Sequence, residues 1–234
     1  MFSFTDRTVV ITGAAGNLGV AVVRLFLQAG SSLALVDHVH DRLSLKFPEL
    51  VNSARHVLLG GINLLDAAAV QRTIQGVQEK FGHIDVLVNT VGGYRGGKST
   101  AETPPDDLDY LLDLNLHTVF NACRAVVPFM QAQRSGRIIN IAARSGLAGI
   151  KNQSAYSMAK AGVLRLTESL SAELREAGVN VNCVVPTTID TPQNREAMPK
   201  ADFTRWSSPE AVADVILFLA SDAARAVHGA AIPV

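Results

Sequence analysis

The chain carries no excess of either charge: 21 lysines and arginines stand against 21 aspartates and glutamates. A neutral balance gives no general pull toward nucleic acid or anionic lipid, which leaves small molecules and copies of the chain itself as expected partners. Cysteine is nearly absent. Cys123 falls in a helical pattern and Cys183 in a strand pattern, which suits buried thiols in a reducing cytoplasm better than a disulfide framework. Long apolar runs are missing as well. No stretch approaches the roughly 20 residues that span a bilayer, and Met1-Phe2-Ser3-Phe4-Thr5-Asp6-Arg7 lacks the basic segment and apolar run of a secretory signal. The histidines show no metal-ligand spacing beyond His38 and His40, which read as solvated loop residues, so no metal site is expected.

What is present is enough apolar residue, 48% of 234, to fill one domain over 1–234. Short β-rich runs at 8–11, 33–36, 56–59, 84–88, 137–141, 179–184 and 230–234 alternate with segments of helical period at 17–29, 66–81, 106–134, 154–177 and 209–220. Such βαβ repetition predicts an α/β, single-domain, Rossmann-type doubly wound parallel sheet of about seven strands. Helices cover both faces, and ligands bind outside the carboxyl ends of the strands.

Three local patterns sit at those carboxyl ends. The first strand runs into Thr12-Gly13-Ala14-Ala15-Gly16-Asn17-Leu18-Gly19 with a helix directly after it. Glycines there let backbone approach a pyrophosphate, and the free amides of the helix start face its charge. Asp37 closes the second strand, where a carboxylate can accept from ribose hydroxyls and repel a 2′-phosphate; His38 rather than an arginine follows, which favours NAD(H). A strand-end aspartate also serves as an ordinary turn residue. Finally, Tyr156 and Lys160 lie one helical turn apart on one face. The lysine charge is expected to lower the phenol from its usual value near 10, making an acid–base group of it.

With these residues in place, the chain resembles the short-chain dehydrogenase/reductase family over nearly its whole length. The resemblance implies that Asn63 and Leu64 lie against the adenine, and that Asn89-Thr90-Val91-Gly92 stands for the family's segment after the fourth strand. It likewise implies that Asn115 holds a proton-relay water and that Pro186 and Thr191 clasp the nicotinamide. Lys160 would hold the ribose as well as tune the phenol. A dimer through the helices at 106–134 and 154–177 is implied, with a homotetramer as the other possibility.

The chain departs from the family pattern at three places. Asn17 stands where many members have a second glycine, and asparagine tolerates a left-handed backbone. Thr187 replaces the glycine after Pro186. Ala143 occupies the position of the catalytic serine, thirteen residues before Tyr156. A hydroxyl that steadies a developing alkoxide contributes about 2.7–4 kcal/mol. Ser145 is the candidate replacement, sharing a face with Ala143 if the segment is extended, although roughly 6.5 Å further along.

Residues 186–206 are similar to the corresponding segment of the dihydropteridine reductases, an NADH-using branch that also carries alanine at the serine position. Gly92-Gly93-Tyr94-Arg95-Gly96-Gly97 is similar to their loop of paired glycines around an aromatic. The resemblance implies reduction of a quinonoid dihydropterin or a similar conjugated acceptor. Such an acceptor spreads the incoming charge over its own nitrogens, so Tyr156 alone could suffice. Met198, Phe203 and Trp206 suggest that 187–207 is a lid over a flat substrate, with Tyr94 stacking from the other side or filling a core gap. A mobile surface loop fits the same lid composition. Two other functions remain open: a secondary-alcohol/ketone oxidoreductase using Ser145, and a non-catalytic NAD(H)-binding sensor.

Overall fold

A computed structural model of the chain describes residues 2–234. The strands are β1 (Thr8–Thr12), β2 (Ser32–Val36), β3 (His56–Leu59), β4 (Val86–Asn89), β5 (Gly136–Ile141), β6 (Val179–Val185) and β7 (Ala231–Pro233). They form one sheet in the order β3-β2-β1-β4-β5-β6-β7, and every neighbouring pair is parallel. Strand order, not strand direction, reverses at the β1/β4 boundary, and that switch point opens the crevice where such folds take their ligands.

Strand sequences explain the layers. In β1, Val9 and Ile11 face one side and Val10 the other, and all three are fully buried, as a strand covered on both faces requires. On the first side lie α1 (Asn17–Gln28) and α9 (Pro209–Ala220), which contribute Val22, Val23, Phe26, Val212 and Ile216. On the second lie α3 (Ala67–Phe81) and α5 (Thr118–Gln133), with Val70, Ile74, Val77, Val126 and Met130. The long helix α7 (Ser154–Leu174) shares that side through Leu174 and packs Val163 and Leu164 against Val185 and Cys183 of β6. Caps fix the boundaries: the Asp66 carboxylate accepts from Ala68 and Ala69 at the start of α3, and Gly82 ends it at φ 80°. Ser208 with Pro209 opens α9.

Several elements differ from the sequence reading. The segment expected as one helix over 106–134 is α4 (Pro105–Leu112), a single π turn over Asp113–His117, and α5. A π turn leaves the periodicity almost unchanged, so the hydrophobic pattern does not reveal it. Three short helices, α2 (Arg42–Lys46), α6 (Arg144–Leu147) and α8 (Pro192–Ala197), are too brief to display a period. No described helix is long and apolar enough to cross a membrane.

Candidate active site

The glycine loop is shaped by close contacts. Gly13 has φ 67°, and a side chain there would meet Val91 Cγ2 at 2.9 Å, so the loop lies directly against the segment that follows β4. Gly19 leaves no space for a Cβ beside the Gly13 carbonyl, which lets α1 begin under the turn. Gly16 is the N-cap, and Asn17 and Leu18 open the helix. Asn17 is therefore helical, and its place in the loop does not depend on a left-handed backbone. Its side chain instead joins the glycine loop to the 187–207 segment, Asn17 Nδ2 donating to Gln193 Oε1 of α8 at 2.7 Å.

Asp37 is buried at the end of β2. One carboxylate oxygen accepts from the Ala15 amide at 3.2 Å and the other from Val39 at 3.1 Å, so it braces the glycine loop as well as facing the crevice end. Arg42 Nη1 lies 3.8 Å from it and His38 Nδ1 3.5 Å. Asn63 spends its side-chain oxygen on the Leu65 amide, 3.0 Å away, while the Leu64 side chain is buried and its carbonyl accepts from Asn121.

Beneath the crevice floor a buried polar chain crosses three strands. Thr12 Oγ1 donates to Asn89 Oδ1 (3.2 Å), Asn89 Nδ2 to Asn140 Oδ1 (2.9 Å), and Asn140 Nδ2 to Thr167 Oγ1 of α7 (3.0 Å). Every member is satisfied, as burial demands. Asn89, expected to meet the cofactor, instead has its side chain inside this network. Thr12, Asn140 and Thr167 escape the sequence reading, although a polar residue within Ile138-Ile139-Asn140-Ile141 is a signal that points to them.

The network helps seat α7, which presents Tyr156 and Lys160. Lys160 is buried, and Nζ donates to the Ile141 carbonyl at 2.9 Å. Burial lowers its pKa to about 8. Gly92 lies beside it: a Cβ there would come within 3.2 Å of Lys160 Nζ and 3.0 Å of Asn115 Oδ1. Asn115 sits in the π turn, fully buried, and exchanges hydrogen bonds with Gly93: Oδ1 accepts from Gly93 N (3.1 Å), while Nδ2 donates to Gly93 O (3.0 Å) and Leu111 O (3.1 Å). The asparagine side chain pins the loop after β4.

The phenol of Tyr156 departs from the expectation. Lys160 Nζ lies 6.0 Å from the ring centroid, and the Tyr156 pKa is pushed up to about 12 by burial, with Tyr94 adding to the rise. Tyr94 stands edge-on to Tyr156, centroids 5.0 Å apart at 86°. It is 55% exposed and so is no core filler. Its loop is held by Arg95, which bonds Asp107 at 2.9 Å and lies 3.6 Å over the Tyr110 ring.

Ala143 is extended (φ −160°, ψ 162°), but the chain turns at once into α6. Ser145 therefore does not share an extended face with Ala143. Its hydroxyl is sealed inside the protein, away from solvent and without a hydrogen-bond partner. Its place on α6, off the extended face, is where the structure departs from the geometry expected of Ser145.

The segment over 187–207 is closed at its base. Thr187 Oγ1 bonds Ser207 Oγ at 2.6 Å, and Ser207 Oγ donates to the Val234 carbonyl at 2.8 Å. The residue that replaces the family glycine thus joins the two ends of the 187–207 segment. Pro186, buried, leads from β6 into this foot, and the Thr191 hydroxyl caps α8 through Asn194 N at 3.2 Å. Phe203 and Trp206 pack on each other at 4.7 Å, and the Arg195 guanidinium lies 4.8 Å over Phe203. Among the described residues the two rings form no stacked pair with Tyr94 or Tyr156; Met198 is 40% exposed. No cluster of three or more potential metal ligands occurs among the described residues.

A parallel sheet with a glycine-rich first turn, and a Tyr–Lys pair beside the crevice, defines a dinucleotide-binding α/β protein. A family model described as short chain dehydrogenase matches residues 7–202. The 3-oxoacyl-(acyl-carrier-protein) reductase FabG of Thermotoga maritima is 35% identical over 231 residues, covering 95% of this chain and 94% of that protein. Levodione reductase of Leifsonia aquatica is 30% identical, covering 99% and 93%. A solved levodione reductase structure superposes with a TM-score of 0.89 at 30% identity over 99% of this chain and 96% of that one. The chain belongs to the short-chain dehydrogenase/reductase family, oxidoreductases that use a nicotinamide cofactor.

Proposed function

We propose that the chain is an NADH-dependent reductase of a quinonoid dihydropterin or a similar conjugated acceptor, acting in the cytoplasm as a homodimer or homotetramer. The observation that carries this reading is the missing hydroxyl at the reacting centre: Ala143 holds the serine position and the Ser145 hydroxyl is sealed away. A ketone reductase without that donor forgoes about 2.7–4 kcal/mol of alkoxide stabilisation. An acceptor that delocalises its own charge has no such need.

The residues present fit a dinucleotide. Gly13, Gly16, Asn17, Leu18 and Gly19 would hold the pyrophosphate, Asp37 the adenosine ribose, and Asn63 and Leu64 the adenine. Gly92, Lys160, Pro186 and Thr191 would surround the nicotinamide riboside, with Asn89 holding the floor from below. The fit rests on the closeness of Gly92 to the Lys160 ammonium and on the lack of side chains in the glycine turn. When bound, the nicotinamide supplies the hydride.

Everything else is done by the chain. With its pKa near 12, Tyr156 holds its proton throughout the neutral range and stands ready as a general acid, the state that reduction requires. Lys160, near 8, is largely an ammonium at neutral pH and offers donors to ribose hydroxyls. Asn115 fixes Gly93 on one side of Tyr94 and Asp107 fixes Arg95 on the other, so the Tyr94 ring is held against Tyr156. Tyr94 and the lid residues Met198, Phe203 and Trp206 would flank a flat acceptor. Exposed Phe120 on α5 and Met158 on α7 support pairing of two copies through those helices.

A carbonyl substrate is the second reading, and the names of the relatives favour it. An acceptor screen with NADH separates the two. Oxidation of NADH by quinonoid dihydropterin at a far higher kcat/KM than by simple ketones supports the first; efficient turnover of ketones alone supports the second. Tight NADH binding with no turnover of any acceptor would return the chain to a sensing role.

A further inference from the structure

A cavity of about 230 Å³ opens beside the Tyr94–Tyr156 pair. Ala155, the residue before Tyr156, lines it, as does Gly96. A Cβ on Gly96 would collide with the Tyr94 hydroxyl, so that phenol spans from the face of Tyr156 to the cavity wall. The cavity thus neighbours both tyrosines through Gly96 and Ala155 without being lined by either, and its use by an acceptor that reacts at Tyr156 rests on the proposed function.

Its chemistry is divided. Leu111 and Ala155, both buried, form an apolar floor, while Gln153, Ser154 and Lys98 give the wall hydrogen-bonding groups. Arg95 and Asp107 also line it, but they neutralise each other at 2.9 Å. Lys98 differs from them. Among the described residues it forms no direct salt bridge; the nearby Glu102 carboxylate feels its charge, while Glu102 Oε2 accepts from the Ser99 amide at 3.1 Å and its hydroxyl at 2.6 Å. The result is one ammonium without a direct salt bridge at the edge of the cavity, with the Glu102 carboxylate close enough to feel its charge.

We infer that this cavity takes a substituent of the acceptor that ends in a carboxylate, with a short apolar stem on Leu111 and Ala155 and the anion at Lys98. It is a specificity compartment: the hydride-accepting end stays at Tyr156, and the tail selects among acceptors of the same reactivity. An exposed lysine paired with a carboxylate in a wet site discriminates on the scale of about fivefold, and the preference fades as salt rises.

The test uses the NADH-loaded protein and a matched probe pair, levulinate and levulinamide, which differ only in the terminal charge. Dissociation constants are measured by calorimetry on wild type, Lys98→Met and Lys98→Glu, and NADH oxidation by both probes and by quinonoid dihydropterin is followed in parallel. Wild type should bind levulinate about fivefold tighter than levulinamide, Lys98→Met should bind them equally, and Lys98→Glu should prefer the amide. Equal affinities in wild type, or a preference that survives in Lys98→Met, would overturn the inference. If the preference depends on Lys98 while no acceptor oxidises NADH, the compartment stands and the reductase reading fails.

Discussion

The two halves of the crevice are built from different kinds of contact. In the half proposed to hold the cofactor, β1, the glycine turn and β2 meet through backbone: the Ala14 amide donates to the Val36 carbonyl at 3.1 Å, and Asp37 accepts from two main-chain amides. In the half proposed to take the substrate, the loop after β4 and the 187–207 segment are held by side chains far apart in sequence. Arg95 bonds Asp107 and lies on Tyr110, Thr187 bonds Ser207, and Gln193 accepts from Asn17. A backbone-built half tolerates little variation in shape. The side-chain-built half can be retuned one residue at a time, which suits the part that chooses the acceptor.

The difference predicts where mutations bite. Tyr156 joins the halves chemically, and its loss should have the largest effect. Tyr156→Phe should lower kcat by about 10²-fold or more, the scale of general acid catalysis, with NADH affinity nearly intact by fluorescence titration.

Lys160 comes next, and pH probes it without mutation. Its folded pKa is about 8, below the ordinary 10.5, so the ammonium is present below pH 8 and is lost as pH rises through that value. NADH affinity and turnover should both fall above about pH 8. Stability should move the other way. Between about pH 8 and 10.5 the unfolded chain binds the proton that the folded chain has released, so the contribution of this group to folding rises with pH. Activity loss with unchanged or higher denaturation midpoints across that window is the expected pattern.

Asp37→Ala tests the cofactor half. It should narrow any NADH-over-NADPH preference, and because two amides lose their acceptor it should weaken both nucleotides, by about five- to tenfold. If wild type already binds NADPH as well as NADH, the carboxylate is only a brace for the glycine turn, and Arg42 becomes the group to change. The smallest effect belongs to the link between halves. Asn17→Gly restores the glycine common in the family but removes the hydrogen bond to Gln193, so stopped-flow NADH release should quicken by about two- to fivefold, as one exposed hydrogen bond allows. Gln193→Ala should match it, and the double variant should add nothing further.

The same contrast governs how much can be read from sequence. The sheet, the glycine turn and the Tyr156/Lys160 spacing depend on local pattern and periodicity, and each is legible, with strand ends shifted by one or two residues. The π turn at Asn115, the sealing of Ser145 within α6 and the Thr187–Ser207 foot depend on distant packing or on elements shorter than a helical period. The direction of the Tyr156 shift is hidden for a related reason: spacing places a charge one turn away, but only the packed structure shows the burial and the Tyr94 contact that raise the phenol.

The absence of a serine hydroxyl at the reacting centre is the central claim, and Ala143→Ser tests it most directly. The measurement is kcat/KM for wild type and Ala143→Ser on quinonoid dihydropterin and on a simple ketone, under identical NADH. The added hydroxyl should leave pterin reduction flat or lower, since no alkoxide forms there, and should raise ketone reduction by a sizeable part of the roughly 10²- to 10³-fold such a donor supplies. Efficient ketone reduction by wild type that is lost in Ser145→Ala would contradict the account.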